Sequence, residues 1–411
     1  MRWADNLPVS TRLGGRRVSA VRLQLRPAVF GNKVLQGSRL LRKRLVLLGP
    51  DPANGSHSTW NYFRSCADEL CRFAPTLEIV AKSPADERGE DAQAGSRLGI
   101  WARNYFEWPL RLRGLKADAF HIVDQGLAWY GLALPKGLRF VTVHDLILYL
   151  TCLGKLPFMP ISSRRKFLVL RNMSEIRRAD HVFAISNFTA SSIMEHLGVE
   201  ANRITVTPNY ADRRFKPLCD TERLQARARL FGKAEHVIVC VANSFEYKNR
   251  LAAFQVLKIL HAHGNDVQLH IAGGGASEKE ETFLQQSSMQ QYTHYWGPIS
   301  LNELNLFYNA ADVFLCTSSY EGFGLPPLEA MQCGCPVVST TCASLGEVVG
   351  SAALTVDDPQ AVETMAHHVE AILKDHNLRK RLRDLGFSQA SKFSLDRSMQ
   401  GITEVYRRFL T

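Results

Sequence analysis

Short aliphatic and β-branched runs recur along the chain, spaced far enough apart to leave room for a helix between them. In the first half they fall at residues 44–49, 119–124, 139–145, 181–186 and 203–208, each closing on a polar or turn residue. Such runs predict strands buried on both faces of a sheet. A helical pattern occupies 58–72. After a charged, helix-prone stretch at 219–234, a second series follows at 236–243, 267–275, 293–297, 312–318 and 335–340. Between these strands, Asn249 is expected to cap a helix carrying Leu251, Phe254, Leu257 and Leu260 and ending at Gly264. Ser300 and Glu303 have the spacing of a capping box.

Strands alternating with helices predict an α/β fold of two Rossmann-like, doubly wound parallel-sheet domains facing a cleft. The expected division is a basic tail at 1–43, an N-terminal domain at 44–215, a C-terminal domain at 216–390, and a final helical segment at 391–411 that packs back toward the first domain. With 411 residues, the chain is long enough for two cores.

Charge changes this picture only at one end. The formal net charge is +11, yet residues 1–44 hold eleven Arg and Lys against a single acid, Asp5. That segment lacks a continuous apolar core, so it reads as a basic arm, a transit-like segment or a mis-called start rather than a secretory signal. No run of about 18 apolar residues predicts a membrane span. Nine cysteines occur without a C-x-x-C pair, which predicts reduced, mostly buried thiols and no metal site.

The densest chemistry lies in EGFGLPPLE, residues 321–329. A predicted strand delivers Glu321 to the carboxyl edge of the sheet. Two glycines then permit close backbone approach, and Pro326 or Pro327 suits a first helical turn. The N–H groups near Gly324 and Leu325, at the positive end of the helix dipole, favour a diphosphate. Glu321 and Glu329 flank it as hydroxyl acceptors, one for a sugar and one for a ribose. Lys248, beyond the first strand of the second domain, adds a positive charge. His144 ends a strand of the first domain and is expected to face the cleft. Neither glycine-rich loop fits a competing nucleotide motif. Glu278 stands where the dinucleotide fingerprint beginning at Gly273 needs its third glycine, and the loop at 49–56 lacks a P-loop lysine.

Residues 318–338, together with VTVHDL, FAISNFTA, ITVTPNY, HIAGGG and the run 301–319, closely resemble the Glu-x7-Glu glycosyltransferases of family 4, which are retaining, nucleotide-sugar-dependent enzymes with the GT-B fold. The resemblance covers about 45–411. It implies that Glu321 contacts the transferred sugar and that Gly322, Phe323, Gly324 and Leu325 line sugar and phosphates. It further implies that Glu329 holds the ribose, Lys248 the diphosphate and His144 the sugar's reacting region, with Gly55 approaching the donor from the first domain. Asn243 stands where many members carry an arginine, which weakens charge support for the leaving group. Leu395 stands where the family often has tryptophan.

The expected activity is metal-independent, retaining transfer of a hexose, with mannose a candidate, from a nucleoside diphosphate sugar to a saccharide or lipid-linked acceptor in cell-surface polysaccharide or glycolipid synthesis. GDP-mannose or a UDP-sugar is the co-substrate, and no further cofactor is expected. Alanine at Glu321 or Lys248 is expected to abolish most transfer and leave the fold intact. A cytoplasmic location is expected. Basic and apolar residues mixed at 97–114 and 164–178 suggest peripheral contact with an anionic membrane at its inner face. The alternatives are a nucleotide-sugar epimerase or another GT-B enzyme, and a nucleic-acid binder acting through the basic tail; nucleic acid is not the expected partner.

Overall fold

A computed structural model describes residues 42–52, 57–87, 99, 102–158 and 161–411. Residues 1–41 of the expected tail and Gly55 lie outside these described residues. Two six-stranded sheets, parallel throughout, carry the architecture. The first runs β2-β1-β3-β4-β5-β6, with β1 Arg44–Leu48, β2 Glu78–Lys82, β3 Ala119–Ile122, β4 Leu138–Val143, β5 His181–Ala184 and β6 Ile204–Val206. The second runs β12-β11-β10-β7-β8-β9, with β7 His236–Ala242, β8 Val267–Gly273, β9 Thr293–Gly297, β10 Val313–Cys316, β11 Val337–Thr340 and β12 Ala353–Val356. This second order is that of a dinucleotide-binding sheet, and the whole is the α/β, doubly wound class read from the sequence.

Parallel strands need long crossovers, and the helices that provide them cover both faces of each sheet. The inner strands are therefore apolar throughout. Leu45, Leu47, Val143, Val237, Val239 and Leu315 are fully buried. The sheet edges are less so, since β2 and β12 are mostly half-buried. The opposite edges, β6 and β9, are half-buried as well.

Residues 42–411 form one compact unit. The last helix, Leu395–Leu410, crosses back to the first sheet. Its Met399, Ile402, Val405 and Tyr406 share a core with Leu45, Leu47, Phe140 and Phe183. Leu395 is half-buried at that helix's start and borders the cleft.

Two local expectations change. Asn249 does precede the helix Arg250–Ala262, but with φ +48° its side chain turns away and donates to the Pro359 carbonyl at 2.8 Å. In the same helix Leu251 is exposed, whereas Phe254, Leu257 and Leu260 are fully buried. The Ser300–Glu303 capping box forms in both directions.

Candidate active site

In the second sheet the chain order reverses between β7 and β10, which lie side by side with Val313 opposite Ile238. Crevices open at the carboxyl ends of strands at such a reversal. Lys248 follows β7 and Glu321 follows β10, so this topology brings together two residues 73 positions apart. Lys248 Nζ lies 2.7 Å from Glu321 Oε1, and Ser318 Oγ donates to the same oxygen at 2.7 Å. The two side chains are only 14% and 13% exposed. Burial alone would lower the Lys248 pKa, but Glu321 and Tyr247 outweigh it and hold the ammonium more basic than usual. The expectation that alanine at either position leaves the fold untouched therefore changes, because each single substitution strands the partner's buried charge.

Beyond Glu321 the backbone turns sharply into the helix Leu325–Gln332. Gly324 adopts φ +107°, a conformation that disfavours any side chain. At Gly322 the reason is contact, since a Cβ there would lie 2.0 Å from the His144 carbonyl oxygen. This turn thus presses directly on the end of β4 in the first lobe. Pro326 and Pro327 fill the first helical turn and offer no N–H. The N–H groups of Gly322, Phe323, Gly324 and Leu325 have no acceptor among the described residues.

One turn into that helix, Glu329 is buried and accepts a 2.8 Å hydrogen bond on Oε2 from the Tyr308 hydroxyl. Burial pushes its carboxyl up to about 7, with nearby Asp212 adding to the rise and the Tyr308 bond opposing it.

From the first lobe, His144 stands at the end of β4. Its Nε2 lies 2.9 Å from the Val123 carbonyl. A carbonyl only accepts, so Nε2 carries the proton there. Tyr62 meets the ring edge-on at 5.0 Å. The neighbouring Asp145 caps Ile147 N–H at 3.0 Å, and burial raises its pKa.

One cavity of about 700 Å³ collects these groups between the lobes. His144, Lys248, Glu321, Gly322, Phe323, Gly324, Leu325 and Glu329 all line it, joined by Tyr62, Asp124, Gln125 and Asp145. Asn243 does not line it. It is exposed at the end of β7, and its Oδ1 accepts from Phe245 N–H at 3.2 Å. Sequence reasoning missed Gln125, Asp145 and Tyr308. A buried tyrosine on a helix carries no local signal of its partner, whereas the aspartate directly after His144 in VTVHD could have been singled out.

A cation, unpaired N–H groups and two carboxylates around one cavity can hold a molecule with an anionic middle and hydroxyl-bearing ends. Comparison with known proteins agrees with that chemistry. Residues 222–388 match the family described as glycosyl transferases group 1, and residues 67–215 match glycosyltransferase family 4. The chain is 27% identical over 279 residues to O-antigen chain mannosyltransferase B of Escherichia coli, spanning 67% of this chain and 72% of that one. It is 26% identical over 273 residues to the serotype-specific mannosyltransferase WbdA of Escherichia coli, spanning 65% of this chain but only 33% of WbdA. Among solved structures, Anabaena HepE in complex with UDP and glucose superposes with a TM-score of 0.69 at 15% identity, covering 89% of this chain and 99% of that one. At that identity the likeness is one of fold.

Proposed function

The chain belongs to the family 4 glycosyltransferases of the GT-B fold, and from that premise we propose that it is a retaining mannosyltransferase of polysaccharide synthesis, using a nucleoside diphosphate sugar such as GDP-mannose. The observation that carries this reading is the convergence of Lys248, Glu321, the 322–325 backbone and Glu329 on one interlobe cavity. Mannose is supported by the relatives, two of which are named as mannosyltransferases.

In this reading the diphosphate lies against Lys248 and the N–H groups of the turn. Glu321 accepts from sugar hydroxyls, Glu329 accepts from the ribose, and His144 borders the reacting carbon. The bond from the anomeric carbon to the phosphate oxygen breaks as the bond to the acceptor oxygen forms on the same face. The acceptor proton passes to the departing diphosphate. Lys248 and the backbone dipoles stabilise the charge that builds on that group.

The test is a donor panel of GDP-mannose, UDP-glucose, UDP-galactose and ADP-glucose, read by thermal shift and by nucleotide release with mannoside acceptors. A ligand that binds only the folded chain must raise its melting temperature. GDP-mannose is expected to give the largest shift and the fastest release. Response to none of the four contradicts the reading.

The acceptor is proposed to be presented at an anionic bilayer, on the strength of one exposed face of the first lobe. Phe106, Leu110, Phe167 and Leu170 are exposed there, Phe167 by 72%, among exposed Arg111, Arg113, Arg164, Arg165 and Lys166. The two segments adjoin. Tyr105 stacks on Trp129, whose N–H is held by Asn172 of the helix Ser163–Arg178. No helix among the described residues is long and apolar enough to cross a membrane. Apolar side chains ringed by cations suit the surface of an anionic leaflet. Co-flotation with phosphatidylglycerol vesicles is expected, weakening with salt and lost in Phe167→Glu/Leu170→Glu. Absence of flotation at low salt would remove the proposal.

A further inference from the structure

The turn after Glu321 is useful to an anion only if its peptide planes are fixed. Three successive carbonyls there each face a hydroxyl within hydrogen-bond distance. Ser344 Oγ lies 2.8 Å from the Glu321 oxygen and 2.7 Å from the Phe323 oxygen, so its single proton is shared between them, and Ser344 N–H also donates to the Glu321 oxygen at 3.5 Å. The carbonyl between them, Gly322, accepts from Ser186 Oγ at 2.8 Å and Thr189 Oγ1 at 3.1 Å. All three hydroxyl residues are at most 1% exposed. They come from different places. Ser344 precedes the short helix Leu345–Val349 of the second lobe, whereas Ser186 and Thr189 open the helix Asn187–Leu197 of the first.

In a trans peptide the C=O and the following N–H point in opposite directions, and none of the described peptides is cis. Holding the carbonyls of Glu321, Gly322 and Phe323 therefore sets the directions of the N–H groups of Gly322, Phe323 and Gly324. Those are the donors without an acceptor on the cavity wall. N–H groups held in fixed directions at a turn can serve an anion without reorganising. We infer that Ser344 and Thr189, with Ser186, are positioning residues that pre-set this backbone for a diphosphate, and that the first lobe thereby takes part in donor binding without touching the donor. The inference rests on the donor site proposed above.

Thr189 Oγ1 also lies 3.5 Å from the His144 carbonyl oxygen, against which Gly322 packs. The hydroxyl node thus sits where the two halves of the site meet. Asn187 N–H adds a second contact between the lobes, reaching the Glu347 carboxylate at 3.0 and 3.1 Å.

Ser186 caps its own helix by accepting from Thr189 N–H at 3.0 Å, so its removal would mix two effects. Thr189→Val and Ser344→Ala are cleaner, with Thr189→Ser as the variant that keeps the hydroxyl. GDP, UDP and ADP are first titrated calorimetrically into the parent protein, and the tightest is then titrated into each variant. Loss of one such hydrogen bond is expected to weaken nucleotide binding about three- to tenfold, to raise donor KM more than it lowers kcat, and to be reversed in Thr189→Ser. Variants that melt at lower temperature but bind the nucleotide as the parent does would overturn the inference, as would Thr189→Ser behaving like Thr189→Val. A parent that binds none of the three would instead overturn the donor site itself.

Discussion

Glutamine in place of Glu321, or methionine in place of Lys248, is expected to reduce transfer by about a hundred- to a thousandfold, the scale on which a single pre-set stabiliser of developing charge acts. Among the described residues lining the cavity, the lysines and arginines are Lys248 and Arg213. Arg213, the other cation lining it, pairs with Asp396 at 2.9 Å and approaches Glu69 at 3.7 Å. With neutral Asn243 exposed and off the wall, the proposed reaction leaves the charge of the departing diphosphate to Lys248 and the backbone. The same substitutions also bear on folding. Removing one member of a buried ion pair leaves a stranded charge, which typically costs about 3–5 kcal/mol. Each single variant is therefore expected to melt lower than the parent, whereas the double variant Lys248→Met/Glu321→Gln, in which neither charge remains, recovers stability and stays inactive. Initial rates and thermal melts on the same preparations check this. A folded single variant with near-parent turnover would contradict the roles assigned to the pair.

Donor affinity is expected to rise with pH through neutrality, with Glu329 as the cause. Its carboxyl is raised from 4.5 to about 7, so between those values the folded chain holds a proton that the unfolded chain has released. The contribution of this group to stability is full below about pH 4.5 and is lost as the pH climbs to about 7. Binding runs the other way. A carboxylate with one oxygen on the Tyr308 hydroxyl can accept hydroxyl donors at its other oxygen, and protonation spoils that acceptor. Nucleotide binding at pH 6 should then be about tenfold weaker than at pH 8. Glu329→Gln should bind weakly at both values and lose the inflection. Calorimetric titrations across this range decide it, and a parent affinity that is flat with pH would contradict the assignment.

The inner strands were legible because full burial on both faces leaves continuous apolar runs that no other element of this length produces. Edge strands β2 and β12 were not picked out, although the equally half-buried edges β6 and β9 were, so partial burial alone does not decide which edge shows in the sequence. Glu321, Glu329 and the turn could be placed because their spacing is local to one strand, one turn and one helix. The Lys248–Glu321 ion pair could not, because it follows from which strands lie adjacent in the second sheet. The hydroxyls of Ser344, Ser186 and Thr189 are further from view still. Serine and threonine are ordinary helix-start residues, and Ser186 serves as a cap as well. Only tertiary packing, within the second lobe for Ser344 and between the lobes for Ser186 and Thr189, gives these hydroxyls the carbonyl oxygens they face. Asn249 shows the converse, a residue with the identity and position of a cap whose side chain is taken by a distant carbonyl.

The central claim is that the backbone after Glu321, with Lys248 beside it, receives the diphosphate of the donor. A crystal structure of the full chain with GDP measures this directly. The account predicts phosphate oxygens within hydrogen-bond distance of the N–H groups between Gly322 and Leu325 and of Lys248 Nζ, with the ribose hydroxyls on Glu329. A diphosphate bound elsewhere in the cavity, with those N–H groups left facing solvent, would contradict it.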